Sequence, residues 1–349
     1  MTVKATLSGG AALALMSAAL FGTSVPLAKL LVGQISPWLL AGLLYLGAGL
    51  GLLVVERLRA GAEAPLARVD WYWLAPAVLT GGVVGPVLLM AGLKAMGAAG
   101  ASLLLPLEGL FSALIAWFVF GEGFDRRILL GFGAITAGAA ILAAPEGFAS
   151  ADLAGPLLVA GACLTWGIDN NLTRKVALAD PVRIARIKCL VAGTVNSALA
   201  LILGAAWPSW PALGAASALG FAGYGLSLVL FVLALRQLGA ARTAAYFAAA
   251  PFIGAALAVP LLAEPVTSAL VLGGLLMVIG VWLHLAERHE HLHVHEPVAH
   301  AHRHVHDAHH QHVHDGSEPP GEPHSHWHEH EPLEHSHPHY PDSHHRHRH

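Results

Sequence analysis

Charge is scarce in this chain. Of its 349 residues, 12% are Asp, Glu, Lys or Arg, against about 25% in an ordinary soluble domain. A compact water-soluble domain of this length is not expected from such a composition. Histidine is missing from residues 1–283, although the chain holds 24 of them. That gap removes a Ser-His-Asp triad, an HExxH helix and a histidine metal centre from the long first part. Cysteine is limited to Cys163 and Cys189, both in apolar stretches without CxxC or zinc-finger spacing. They read as inert buried thiols. GxGxxG and GxxxxGK[ST] are absent, which removes the obvious nucleotide sites. No enzyme is expected. The net charge of −3 also excludes a globally basic nucleic-acid binder.

What is present is apolar. A membrane helix needs roughly 20 apolar residues, and that length fits the sequence near 9–31, 37–56, 71–92, 98–120, 127–144, 155–175, 185–205, 215–235, 241–263 and 267–286. These runs are too long, and alternate too little, for a closed β-barrel. The opening residues resemble a signal peptide, but further apolar runs follow at once, so they read as the first span. The expected fold is an all-α polytopic membrane protein of ten transmembrane helices. The loops sort by charge. With the N-terminus inside, 14 basic residues face the cytoplasm, including Arg57, Arg126, Arg183 and Lys188, while Lys29 and Lys94 face the other side. The asymmetry predicts cytoplasmic termini. Trp38, Trp71, Tyr72, Trp73, Trp207, Trp210 and Trp282 lie near span ends, where interfacial anchors belong.

The body repeats itself. Aligning Gly97 with Gly239 without gaps also matches Ala98-Ala99 with Ala240-Ala241, Glu122 with Glu264, Gly131 with Gly273 and Gly138 with Gly280. A second alignment sets Phe21-Gly22 on Trp166-Gly167 and Lys29 on Arg174. Two five-helix units, 9–144 and 155–286, follow, with a His-rich tail over 287–349. Five is odd, so the second unit enters from the opposite side, the inverted-repeat plan of alternating access. Glu122 and Glu264 are expected to make helix-end or loop interactions with nearby basic residues.

Polar groups at membrane depth are the candidate path residues. Glu108 stands near the middle of the fourth span, flanked by Pro106 and Gly109. A carboxylate there is costly unless it binds a cation, takes a proton or meets a hydrogen-bonding partner. The readings are a group lining the path or a structural acid between helices. Asp169, Asn170 and Asn171 form a second cluster, answered in the first repeat by Thr23, Ser24 and Pro26. Both segments are expected to interrupt their helices near a central site. Tyr246 and Phe247 are further cavity candidates, and packing explains them too.

The tail alternates histidine with other residues. His289, His291, His293, His295, His300, His302, His304, His306, His309, His310, His312 and His314 make up its first part. Such a composition cannot bury a core and is expected to be disordered. Imidazoles bind Zn, Ni, Co or Cu, with capture, sensing, buffering and a passive tail all open. No cofactor is required.

Several stretches carry a family resemblance. LFGTSVPLAKLL, then PLEGLFSALIAWFVFGE, then ACLTWGIDNNLTRK and APFIGAALAVPLLAE resemble the EamA family of the drug/metabolite transporter superfamily. The resemblance implies ten helices, cytoplasmic termini and a central cavity that opens alternately. It also implies export or proton-linked carriage of amino acids, other metabolites, drugs or nucleotide sugars. By position it places Glu108, Asp169 and Asn170 in the cavity-lining region. The partners expected are the lipid bilayer, a small solute, a coupling proton and a second copy of the chain as a homodimer, with no nucleic acid. The expected function is a secondary transporter, an exporter of a small metabolite, amino acid or drug-like solute. One alternative is a divalent transition-metal exporter whose tail captures metal. Another is a non-transporting membrane protein with a metal-buffering tail.

Overall fold

A computed structural model describes residues 9–58, 66, 68–120, 126–143, 153–176, 180–238, 243, 246–285, 290–295, 299–304, 324–329 and 333–338. The body is helical. The first repeat contains α1 (Gly9–Val32), α2 (Pro37–Leu58), α3 (Trp71–Ala77), a wide turn over Val78–Val84, α4 (Gly85–Ala95), α5 (Ala98–Leu104), α6 (Leu107–Phe120) and α7 (Arg126–Ala143). The second contains α8 (Ala154–Thr173), α9 (Pro181–Ile202), α10 (Trp210–Gly220), a second wide turn over Phe221–Leu226, α11 (Ser227–Leu238), α12 (Ala250–Leu262) and α13 (Ser268–Leu285). Six helical stretches are long and apolar enough to cross a membrane: Gly9–Val32, Pro37–Leu58, Arg68–Ala95, Ala98–Ile115, Val182–Ile202 and Trp210–Ala234. Leu129–Ala143, Ala250–Leu262 and Ser268–Leu283 are shorter apolar helices.

Local chemistry explains the joints. Asp180 accepts from Val182 N at 2.9 Å and caps α9, with Pro181 in the first turn, where a missing N–H costs nothing. Pro86 lies just after the first wide turn. It cannot donate to the carbonyl four residues back, Gly82 O, so the ladder loosens into π geometry. Asn196 Nδ2 takes up the released carbonyls, donating to Val83 O at 3.1 Å and Gly82 O at 3.4 Å. The second wide turn falls at the repeat-related position and carries Gly223 and Gly225.

Packing is paired across the two repeats. α2 lies on α9, and α7 lies on α13. α4 packs on α8 as α11 packs on α1, and α6 packs on α8 as α12 packs on α1. These contacts of one repeat with the other are thus paired, as an internal two-fold relation requires. The central crossings run through small residues. A Cβ on Gly47 would collide with Ser217 O, one on Gly220 with Leu44 O, and one on Gly22 with Ala250 O. Backbones in lipid approach this closely only where side chains are minimal. At one end of the α2–α9 contact, Glu56 lies 3.2 Å from Arg183 Nε and 2.6 Å from Arg186 Nε. The second is an ion pair without the alignment of a hydrogen bond.

Among the described residues of the tail four short strands are formed, β1 (Glu290–His295), β2 (Ala299–His304), β3 (His324–Glu329) and β4 (Leu333–Pro338). β1 pairs antiparallel with β4 and β2 with β3. Alternation of histidine with other residues has the two-residue period of a strand, which the compositional reading overlooked. The register sets His291 against His337 and His300 against His328. His289, His306, His309, His310, His312 and His314 lie outside the described residues.

The glycine crossings make a stability prediction. Gly47→Ala forces α2 from α10 and is expected to cost about 1–3 kcal/mol, as overpacking does. Gly214 has no neighbour within 4 Å of a would-be Cβ, so Gly214→Ala should leave stability unchanged. Thermal unfolding of both variants in one detergent checks the contrast.

Candidate functional site

The fourth span is broken where the sequence suggested. α5 ends at Leu104 and α6 begins at Leu107, with Leu105 and Pro106 between them. Pro106 has no N–H to continue the ladder. Cys163 Sγ approaches Leu104 O at 3.7 Å and Leu105 O at 3.8 Å, so one thiol is a weak donor to the broken turn. The repeat-related place in the second unit is also broken, by a turn at Ala248–Ala249 ahead of α12.

Glu108 opens α6 beside this break, and its Oε1 accepts from Asn170 Nδ2 at 2.8 Å. Asn170 is exposed, and its amide also reaches Ser112 Oγ at 3.2 Å. Asn171 Nδ2 donates to Ser112 O at 3.0 Å and to Gly167 O at 2.9 Å. The sequence candidates from the two repeats therefore meet directly, α6 against α8. Asp169 points elsewhere. Lys188 Nζ donates to its Oδ1 at 2.5 Å and Oδ2 at 2.6 Å, and Thr173 Oγ1 donates to Oδ1 at 2.8 Å. Asp169 is only 7% exposed, so this charge pair is taken out of water, with a hydroxyl completing it. A Cβ on Gly81 would strike the Asp169 carboxylate. Glycine there lets the first wide turn come up to the pair.

Gly81 O lies in that turn and collects two donors, Trp166 Nε1 at 3.0 Å and Tyr45 Oη at 3.3 Å. Tyr45 in turn begins an aromatic chain. Its ring lies 5.8 Å from Tyr224, Tyr224 lies 5.8 Å from Phe21, and Phe21 lies 5.7 Å from Phe247. Phe247 meets Phe231 at 4.9 Å. The polar cluster and the aromatic chain thus adjoin through Tyr45 and Gly81.

Other sequence expectations are corrected. α1 runs unbroken through Thr23, Ser24 and Pro26, and α8 runs unbroken through Asp169–Asn171. The breaks lie in the partner helices instead. Short polar side chains bond back to their own helix without opening it: Ser24 Oγ donates to Phe21 O at 2.6 Å, and Asn171 does the same to Gly167 O. Ser24 is buried, and Thr23 is half-buried beside it. Ser24 lies against Gly223 of the second wide turn, so it belongs to the aromatic half. Tyr246 is 36% exposed, and its neighbour Phe247 makes the ring contacts instead. Lys188 was grouped with the loop charges, yet it lies within α9 and holds Asp169. Its place seven residues after Pro181, inside an apolar run, was the available signal. Ser112, Tyr45 and Trp166 were also missed as site residues. Glu264 makes its helix-end contact with backbone groups, accepting from Ala98 N and Ala99 N at 2.6 Å and 2.9 Å, and not through the basic side chain expected. Glu122 lies outside the described residues.

The chain is similar to known proteins. A transporter of Methanothermobacter thermautotrophicus, described only as uncharacterized, is 28% identical over 282 residues, covering 75% of this chain and 82% of that protein. A solved crystal structure without a functional title covers 79% of this chain and 96% of its own at 20% identity, with a TM-score of 0.59. At that identity it supports the fold alone. The model of the EamA-like transporter family matches twice, over residues 8–144 and 153–286. With most of its length matched by this twofold pattern, the chain belongs to the EamA-like transporter family and is a multi-pass membrane transporter of small solutes.

Proposed function

We propose that the chain is a ten-helix secondary transporter that exports a small organic solute by alternating access between two inverted repeats. Its expected setting is the inner (plasma) membrane, with both termini cytoplasmic and a proton as coupling ion. The observation that carries this reading is the contrast between two carboxylates. Asp169 is matched by the Lys188 ammonium, whereas the bond to Glu108 comes from the neutral amide of Asn170. An ionised group at membrane depth favours a neutralising partner. A proton or the cationic group of a solute supplies one at Glu108. Asn170 and Ser112 then orient the solute, and the rings of Phe21, Tyr45, Tyr224 and Phe247 offer its apolar part a surface.

Among the described residues no group of three or more His, Cys, Asp and Glu is placed to hold a metal ion. This favours an organic solute over a metal cation in the path. Export of Zn, Ni, Co or Cu stays as a second reading because of the tail histidines. Metal binding by the full chain should weaken below roughly pH 6.5, where imidazoles protonate. Metal load that leaves cellular Zn, Ni, Co and Cu identical with and without the protein would end this reading.

Two variants test the main reading. A thermal-shift screen of amino acids, amines and drug-like compounds first supplies a transported solute. In proteoliposomes, Glu108→Gln should abolish the pH dependence of its transport while leaving the melting temperature intact. Transport that follows pH as in the parent would remove Glu108 from the mechanism. Asp169→Asn behaves differently, because it strands Lys188 in the interior. It should cost roughly 3–5 kcal/mol of stability, as breaking a buried pair does. Replacing both partners with apolar residues of similar volume should restore much of the loss, read by thermal unfolding.

A further inference from the structure

One corner of the bundle gathers two helix ends and two opposite charges. α4 stops at Ala95 and α5 starts at Ala98. Lys29, in the last turn of α1, donates through Nζ to Leu93 O and, at 2.7 Å, to Met96 O. Those carbonyls end α4, where the helix dipole is negative. Glu264, just past α12, accepts from Ala98 N and Ala99 N, the first N–H groups of α5. There the dipole is positive. Each charge sits on the helix end that it complements, and each satisfies groups that a helix terminus leaves over.

The two contacts differ in what they join. Lys29, α4 and α5 all belong to the first repeat, so the lysine only folds that repeat on itself. Glu264 belongs to the second repeat and reaches across. Its approach is built into the backbone. Ala263 has a φ of 51° and its N–H on Val259 O, the left-handed cap that ends α12 and turns the chain toward α5. A Cβ on Gly97 would come within 2.9 Å of Glu264 Oε2, so the small residue at the corner leaves room for the carboxylate. α5 itself is bounded by the Met96–Gly97 corner at one end and the Leu105–Pro106 break at the other. A short rigid segment between two breaks can pivot, and Glu108 stands just past its far end.

We infer that Glu264 is a gate residue. Its carboxylate on the α5 N–H groups holds this end of the path closed, and the path opens there only when Glu264 releases α5. This rests on the alternating-access reading above. The loop charges of the sequence make this face extracytoplasmic.

The test uses the full chain with Cys163 and Cys189 replaced by Ala and one reporter cysteine at Thr23. A membrane-impermeant maleimide is applied to right-side-out and inside-out vesicles. Glu264→Gln should speed labelling from the Lys29 face severalfold and slow it from the other face. An equal rise from both faces would mean a loosened bundle and would overturn the gate. Unchanged rates with a lower melting temperature would make Glu264 a helix cap only, and would overturn it too. A reporter labelled from one face alone, in the parent and the variant alike, would remove alternating access itself and the gate with it.

Discussion

The whole arrangement depends on one constraint. In hydrocarbon no water is available to a backbone carbonyl, so every departure from a regular helix must be answered by another protein group. This body departs from regularity at depth. Pro86 frees the carbonyls of the first wide turn, and Asn196, Trp166 and Tyr45 come to Gly82, Val83 and Gly81. Pro106 opens the fourth span, and Cys163 comes to Leu104 and Leu105. Most of these donors sit on the second repeat while the carbonyls sit on the first. The irregular backbone is therefore what binds the halves together. A side chain that reaches such a carbonyl also fixes how two helices can slide, so the defects set the permitted motion as well as the static fold.

The scaffold is symmetric, but its chemistry is not. Gly81 takes the close approach of Asp169, and at the related place Gly223 takes that of Ser24. Glu108 corresponds to Ala250 in the ungapped alignment, and Ser112 to Gly254. One half of the centre thus holds carboxylates, amides and a lysine, and the other holds rings and small residues. Equivalent backbone geometry in both repeats is what exchange between two mirrored states demands. Equivalent side chains are not demanded, because a solute with unlike ends is recognised by an asymmetric site. On the proposed mechanism the repeated backbone would supply the motion, and unlike residues such as Glu108 and Ala250 the selectivity.

Much of this was legible in the sequence, for a physical reason. Long apolar runs, loop charges and repeated small residues report on a solvent with two phases, and the resulting helix positions differ by a few residues. The break at Pro106 was legible because proline acts locally. The continuity of α1 through Pro26 and of α8 through Asp169–Asn171 was not. Whether a polar residue opens a helix or bonds back onto it depends on neighbours that sequence spacing does not contain. Lys188 illustrates the same limit. Counted as a loop charge, it satisfies the positive-inside pattern. Set one turn deeper, it cancels Asp169 and changes which acid is available for chemistry.

That cancellation determines where charge can vary. A transporter needs a group whose interaction energy differs between its states, since a partner bound equally in both shifts nothing. Asp169 is poorly suited to that task. Its ammonium partner is on the adjacent helix α9, which also carries Asn196 into the first wide turn, so separating the pair would uncover two buried charges at once. On the proposed mechanism Glu108 is well suited. The bond it accepts from the second repeat comes from the neutral amide of Asn170, beside a break. Protonating it removes the cost of its charge without stranding a counter-ion. On the proposed mechanism, rigid neutralisation at Asp169 and variable neutralisation at Glu108 are complementary: the first keeps α8 and α9 together while the second would let α6 move against them.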